Sequence, residues 1–343
     1  MSAPTHKIAI IGASGYTGEE LVKLLLRHPA AEIVAVTSRQ HAGQRLAESI
    51  PALRGRTDLQ FTAPDVKELL KLKPEVVFLA LPHGVAAEYV VPLMEAGATV
   101  IDLSADFRLR SAEVYKEFYS HEHPAPQLLE KAVYGLPELH RKQIARAKLI
   151  GSPGCYPTSV LLGAWPAFKH GLVKKEGIVA DSLSGVSGAG KKPEVDYLFS
   201  ECAGSAKAYG VPKHRHLSEI EQELSAMAGS KIHITFTPHL IPVNRGILTT
   251  LYFELAKEIT QDAAQAAYEE TYAKEPFVRV SSSLPEIKNV AGTNFCDIGV
   301  RVDPRTRRLV VVSAEDNLIK GAGGQAIQSM NLILGLPEAT GLL

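Results

Sequence analysis

Lys7-Ile8-Ala9-Ile10-Ile11-Gly12-Ala13-Ser14-Gly15-Tyr16-Thr17-Gly18, followed by the apolar-periodic Leu21, Val22, Leu24 and Leu25, reads as strand, glycine turn and helix at the start of the chain. Glycine is needed where a backbone must turn sharply and approach a pyrophosphate, whose charge then faces the helix N-terminus. The spacing is GxxGxxG, one place removed from GxGxxG, so the turn alone is weak and its context decides. That context is βα alternation. Strands are expected over 32–36, 76–81 and 99–103, with a helix over 85–95, which predicts buried parallel strands in a doubly wound sheet.

The second strand runs into Thr37-Ser38-Arg39, where an NAD-binding fold usually places an acid for the ribose hydroxyls. Ser38 and Arg39 instead suit a 2′-phosphate, with a solvated loop arginine as the alternative. After the third strand come Pro82, His83 and Gly84, and after the fourth Ser104-Ala105-Asp106-Phe107-Arg108-Leu109, at the edge where open α/β sheets bind ligands. Arg108 is a candidate anion clamp or an exposed arginine with no such role. His121 and His123 look like a metal pair only superficially, and read as surface.

Gly151-Ser152-Pro153-Gly154-Cys155-Tyr156-Pro157-Thr158 follows a strand over 147–150 and precedes a helix over 159–168. Pro153 and Gly154 break the strand, and Pro157 is tolerated in a first helical turn. The Cys155 thiol thus lands at a helix N-terminus, which favours thiolate and should lower its pKa below about 8.5. A reactive nucleophile is the reading, and a buried structural cysteine the alternative. A strand over 177–184 leads into Ser184-Gly185-Val186-Ser187-Gly188-Ala189-Gly190-Lys191-Lys192, a second glycine loop that cradles an anion or cofactor, or is a surface turn. Ser218 and Glu221 form a capping box, which puts His216 just before a helix, where its neutral form is favoured. Strands over 231–237 and 246–254 joined by Pro238 to Arg245, a helix over 262–273 and a hairpin over 295–302 and 309–313 suggest an α+β second domain. A last apolar helix over 322–334 should pack back on the first domain.

The chain has 343 residues, too many for one ordinary core, and its 37 basic residues balance 37 acidic ones. No long-range field would draw it to nucleic acid or an anionic membrane. There is no leader-like start, and no apolar run approaches the roughly 20 residues of a membrane span. Cys155, Cys202 and Cys296 are odd in number and form no CxxC, arguing against a disulfide framework or zinc knuckle and for a reducing cytoplasm.

Taken together, the turn over 12–18, Leu-Ser-Ala-Asp-Phe-Arg-Leu at 103–109, the cysteine stretch at 151–158, His-Arg-His at 214–216, Thr-Pro-His-Leu-Ile-Pro-Val-Asn-Arg-Gly at 237–246 and Asp-Asn-Leu-Ile-Lys-Gly at 316–321 resemble the N-acetyl-gamma-glutamyl-phosphate reductase family of arginine biosynthesis. The likeness covers nearly the whole chain, and the glycine turn is shared with aspartate-semialdehyde dehydrogenases. Lys191, where arginine is common, and Val243-Asn244, in place of a Met-Thr-like pair, depart from the pattern. The resemblance implies reduction of an acyl phosphate by NADPH, with Cys155 as nucleophile, His216 as base, no metal, and a homo-oligomer, dimer or tetramer. Arg108, His214 and Arg245 are expected at the substrate. Gly12, Ser14, Gly15, Tyr16, Thr17, Gly18, Ser38, Arg39, Pro82, Ser187, Gly188 and Asn317 are expected at the cofactor. The expected architecture is a Rossmann-type dinucleotide-binding domain, 1–153 and 315–343, and an α+β catalytic and oligomerisation domain, 154–314. The nearest alternatives are a carrier-bound aminoadipyl-phosphate reductase of lysine synthesis and a non-catalytic NADP-binding regulator.

Overall fold

The computed structural model describes residues 5 to 343, and the chain divides into two compact units. The first takes the chain up to Pro153 and again over Ala322–Leu343; the second is Gly154–Gly321.

In the first unit β1 (His6–Ile11), β2 (Ala31–Thr37), β3 (Phe61–Thr62), β4 (Val76–Leu79), β5 (Thr99–Asp102), β6 (Val133–Tyr134) and β7 (Leu149–Gly151) form one parallel sheet, in the order β3-β2-β1-β4-β5-β7-β6. The chain winds outward from β1 and then crosses back to β4, so the switch point lies between these two strands. Ile8 to Ile11 and Val76 to Leu79 are wholly buried, which is why both runs are continuously apolar rather than alternating. The helix Tyr16–Leu25 buries Leu21, Val22, Leu24 and Leu25. The last helix, Gly324–Ile333, belongs to this unit, where His28 Nε2 meets the Asn331 carboxamide oxygen at 3.0 Å.

In the second unit β8 (Ile178–Gly185), β9 (Lys207–Ala208), β10 (Ile234–Ile241), β11 (Ile247–Glu254), β12 (Val278–Ser281), β13 (Cys296–Asp303) and β14 (Arg308–Glu315) form a mixed sheet, ordered β12-β13-β14-β11-β8-β10-β9. Ile247, Thr249, Leu251 and Phe253 alternate inward along β11. Against this face lies the helix Cys155–Lys169. Ser159 Oγ donates to Thr249 Oγ1 (2.8 Å), Thr249 Oγ1 also meets Ser182 Oγ (2.8 Å), and Ser313 Oγ donates to the Ser159 carbonyl (2.9 Å). This buried hydroxyl chain fixes the helix one turn beyond Cys155.

Two expectations change here. The strand read over 231–237 is Ile234–Ile241, so Pro238 stands inside a strand rather than in a connection. The neighbour on its far side is the two-residue edge strand β9, and near an edge a proline's missing donor is tolerated. The chain returns to the first unit at Ala322, not at 315. Glu315 ends β14, Asp316 holds Arg245, and Asn317 accepts from the Gly246 amide (2.6 Å), all within the second unit.

Candidate functional site

Three glycines of the first turn have three different surroundings. Gly12 has φ +87°, and a Cβ there would stand 2.4 Å from the Ala80 carbonyl oxygen. A Cβ on Gly18 would lie 2.6 Å from Ala13 Cα, so this glycine lets helix and strand close up. Around Gly15 a Cβ would meet nothing within 4 Å, and Gly15 caps the helix Tyr16–Leu25 with no side chain of its own. That open space before a helix N-terminus fits a pyrophosphate. Gly15→Val should therefore leave the melting temperature within a degree or two and weaken nucleotide binding at least tenfold, measured by cofactor fluorescence titration. Undiminished binding would place the pyrophosphate elsewhere.

Ser38 ends up 3% exposed, donating to Ser14 Oγ at 3.1 Å, which links the end of β2 to the glycine turn. Arg39 Nη2 reaches the Tyr89 hydroxyl at 3.4 Å, yet the side chain is 67% exposed. Its pKa is raised, first by that hydrogen bond, so the guanidinium is charged throughout the working range. Pro82 is exposed beyond the end of β4, and His83 Nδ1 accepts from the Ala105 amide (3.0 Å).

Sequence reasoning missed the carboxylates beneath these loops. Asp106 is wholly buried and accepts from the amides of Gly84 (2.7 Å) and Ala86 (3.1 Å) and from the Tyr115 hydroxyl (2.8 Å). It shapes the loop after β4 as a fixed acceptor. His123 is a correction: it is 5% exposed, with its Nε2 on the Asp106 carbonyl, and not a surface residue. His121 Nε2 meets the Tyr115 hydroxyl at 3.0 Å. Asp102 is raised to about 7, by burial first and the Asp106 charge second. Between about pH 4 and 7 the folded state then holds a proton that the unfolded state lacks, so stability falls as pH rises through this window. Against Asp102→Asn, the wild type should lose about 1.4 kcal/mol for each unit of the shift, read from urea unfolding at several pH values. Parallel pH curves for the two proteins would rule that out.

The structure overturns the alternative reading of Arg108 as an exposed arginine. It is 7% exposed, and its Nε and Nη2 donate to the carbonyls of Ser152 (2.6 Å) and Leu103 (2.7 Å), bracing the end of β5 to the segment after β7. Arg245 is likewise engaged, with Nε and Nη2 each 3.0 Å from the two oxygens of buried Asp316. Asn317 Nδ2 donates to Ser187 Oγ (3.0 Å), and a Cβ on Gly188 would lie 3.7 Å from the same Asn317 nitrogen. Ser187, Gly188 and Asn317, 130 residues apart in the chain at the extremes of the hydrogen bond, are thus brought together.

Cys155 is the first residue of its helix, with Gly154 as N-cap. Its own amide and that of Tyr156 have no earlier carbonyl to bond within the helix, so partial positive charge gathers at the end where Cys155 stands. Gly154 is hemmed in from the second helix of the site, Arg215–Ala228. Its amide donates to Glu219 Oε1 (2.8 Å), and a Cβ on it would stand 2.5 Å from His216 Nε2. On another side, a Cβ on Gly321 would lie 2.8 Å from Cys155 Cβ and 2.9 Å from Glu315 Oε1. Glu219 and Glu315, 1% and 0% exposed, went unnoticed in the sequence because nothing local marks a glutamate as buried.

The capping box is not formed. The helix begins at Arg215 with His214 as its N-cap, Ser218 Oγ donates back to the Arg215 carbonyl (2.8 Å), and Glu221 accepts from the Ile234 amide (3.1 Å). It is therefore His214 that precedes the helix, and His216 lies in its first turn. His214 Nδ1 accepts from the His216 amide (3.1 Å), which leaves the proton of the neutral ring on Nε2. Burial, reinforced by the Arg215 charge, lowers its pKa to about 4. Tyr156 and Tyr209, joined hydroxyl to hydroxyl at 2.9 Å, pack edge-on to the His214 ring, which is 5.0 Å from that of His216.

Comparison with known proteins finds that residues 7–147 match the family described as "Semialdehyde dehydrogenase, NAD binding domain" and residues 155–317 "Semialdehyde dehydrogenase, dimerisation domain". Over 340 residues the chain is 52% identical to the N-acetyl-gamma-glutamyl-phosphate reductase of Akkermansia muciniphila, covering 98% of each. It is 54% identical over 339 residues to that of Desulfotalea psychrophila, covering 98% of this chain and 97% of the other. Among solved structures, aspartate semialdehyde dehydrogenase II of Vibrio cholerae superposes with a TM-score of 0.75 at 17% identity, over 97% of this chain and 99% of that one. The Candida albicans aspartate semialdehyde dehydrogenase with NADP gives 0.67 at 18% identity, over 96% and 98%. At such identity these last two bear on the fold alone. Among the described residues no helix is long and apolar enough to cross a membrane.

Proposed function

The chain belongs to the N-acetyl-gamma-glutamyl-phosphate reductase family, and from that premise we propose that it converts N-acetyl-gamma-glutamyl phosphate to the 5-semialdehyde, releasing phosphate, through a thioester on Cys155. The observation that carries this reading is the setting of Cys155, at a helix N-terminus with Gly154 against His216 on one side and Gly321 on another. A thiol so placed is activated by the helix end and has a base one residue from its own backbone.

In the first half-reaction the Cys155 sulfur bonds to the γ-carbonyl carbon, the carbon–oxygen bond to phosphate breaks, and His216 holds the proton taken from the thiol. The first-turn amides of the cysteine helix are suited to the oxyanion of each tetrahedral state. A nicotinamide cofactor, when bound, supplies the hydride that reduces the thioester. The resulting thiohemiacetal then expels the Cys155 sulfur and leaves the aldehyde. His214, neutral above about pH 4 and tied to the His216 amide, orients its neighbour and lines the substrate side. Arg108 and Arg245 act through the loops they brace, and as cations beside the site they are assigned to hold the substrate's anionic groups in place.

NADP is the cofactor we assign, supported by Ser38, Arg39 and the missing acid at the end of β2, and held within the first unit by the turn over Gly12 to Gly18 and by Pro82. Arg39→Asp should lower the ratio of kcat/KM for NADPH over NADH at least tenfold, since it sets a negative charge against the 2′-phosphate. An unmoved ratio makes Arg39 a bystander. A homo-oligomer built through the second unit is supported by the match to a dimerisation domain, and a reducing cytoplasm by three free cysteines. The deciding assay is phosphate-dependent NADP reduction. N-acetylglutamate semialdehyde should support turnover and aspartate semialdehyde should not, and the reverse preference would overturn the assignment.

A further inference from the structure

Glu315 is a wholly buried carboxyl for which the reaction above has no use. It ends β14, opposite Ile247 of β11 and Cys296 of β13, so its side chain is carried by the centre of the mixed sheet rather than by a loop. Across the missing side chain of Gly321 it faces the nucleophile: the vacant Cβ position lies 2.9 Å from Glu315 Oε1, 2.8 Å from Cys155 Cβ and 3.1 Å from Cys155 Cα. Only glycine at 321 permits that approach. We propose that Glu315 is a positioning residue for Cys155, its carboxylate setting the pH at which the thiol gives up its proton.

The groups around this pair come from every element packed on it. The cysteine helix brings Cys155 and Tyr156, and the helix Arg215–Ala228 brings His216 and Glu219, the latter taken up by the Gly154 amide. The segment after β14 brings Asp316, which is paired with Arg245, and Lys320, wholly buried and 5.9 Å above the Phe277 ring. From β13 comes Cys296, and from β11 apolar Ile247. A carboxylate whose Oε1 lies within about 6 Å of Cys155 Cβ, as the two distances from the Gly321 position require, opposes formation of a second negative charge at the half-buried thiol, so the two groups titrate as a coupled pair. The helix end pulls the thiol pKa down, and Glu315 pulls it up. The result is a nucleophile that keeps its proton in the resting protein, until His216 removes it with substrate in place.

The inference rests on Cys155 being the nucleophile, and its test separates the two claims. The rate of iodoacetamide labelling is measured against pH in the full-length protein, with Cys155 resolved from Cys202 and Cys296 by peptide mass spectrometry. Relative to wild type, Glu315→Gln should move the midpoint of the Cys155 profile down by about one to two pH units, the size expected for one unit charge at this range in a partly screened interior. Glu315→Asp, with the charge drawn back by one methylene, should fall between them, and it carries the test alone if glutamine at this position prevents folding. A purely structural glutamate would change yield or melting temperature and leave the midpoint where it is; midpoints within about 0.3 unit of wild type in the variants that fold overturn the proposal. If the midpoint moves but Cys155→Ser retains turnover, the nucleophile assignment fails and the coupling stands. If Cys155→Ser is inactive and the midpoint is fixed, the coupling alone fails.

Discussion

Cys155→Ser is expected to abolish turnover, by at least 10³-fold, while leaving the dissociation constant for NADPH within about twofold of wild type. Serine keeps the size, the helix position and the contact with Gly321, and removes only the ionisable sulfur. Near neutrality a hydroxyl carries no useful anionic fraction, whereas even an unperturbed thiol carries a few per cent. Because the cofactor's phosphates are assigned to the first turn of the chain, nucleotide affinity serves as the internal control. Single-turnover absorbance at 340 nm would show no burst of cofactor oxidation in the variant. Turnover within a few-fold of wild type would remove the covalent step.

The second large effect is expected at His216. A general acid/base contributes about 10² to 10⁴ in rate, so His216→Asn should lower kcat by that order and flatten its acid limb. The neighbouring histidine serves as the contrast. His214 has its pKa lowered to about 4 by burial and the Arg215 charge, so near neutrality its ring rests neutral and is a weak base. Its Nδ1 is already the acceptor that caps the helix through the His216 amide. His214→Asn, which can still cap, should raise KM several-fold and leave the shape of the pH profile unchanged. If the larger loss of kcat and the altered pH profile appear at His214 instead, the roles are reversed.

The doubly wound half of the fold was legible because parallel strands buried on both faces write themselves as unbroken apolar runs, as at Ile8 to Ile11 and Val76 to Leu79. Strands β3 and β6 were not, since two residues have no period and owe their pairing to neighbours already in place. The helix start at Arg215 was misread because Ser218 and Glu221 have the spacing of a capping box, while their hydrogen bonds go to Arg215 and to β10. At the candidate site the cysteine's helix-end position could be read locally, from Pro153 and Gly154. Glu219 and Glu315 could not, because each comes to the start of the cysteine helix, at the Gly154 amide and beside Gly321, from an element more than 60 residues further along the chain. Arg108 and Arg245 show another limit: nothing near them in sequence marks the carbonyls of Ser152 and Leu103 or the carboxylate of Asp316 as the partners that hold them.

The contact between Gly321 and Cys155 also says something about how this chain can be cut and joined. Gly154 opens the second unit and Gly321 closes it, and a Cβ on Gly321 would stand 3.1 Å from Cys155 Cα, so the unit begins and ends at one spot. A segment with adjacent ends behaves as a cassette: it can be lifted from one host and seated in another through two neighbouring splices, with no spacer to bridge a gap. Residues 154–321 are thus a natural piece to exchange among relatives as a whole, with both junctions at one place. The price of the arrangement is that both splices fall beside Cys155, where a Cβ on either junction glycine would stand under 3 Å from a neighbouring atom, so a junction error of one residue has no slack to absorb it.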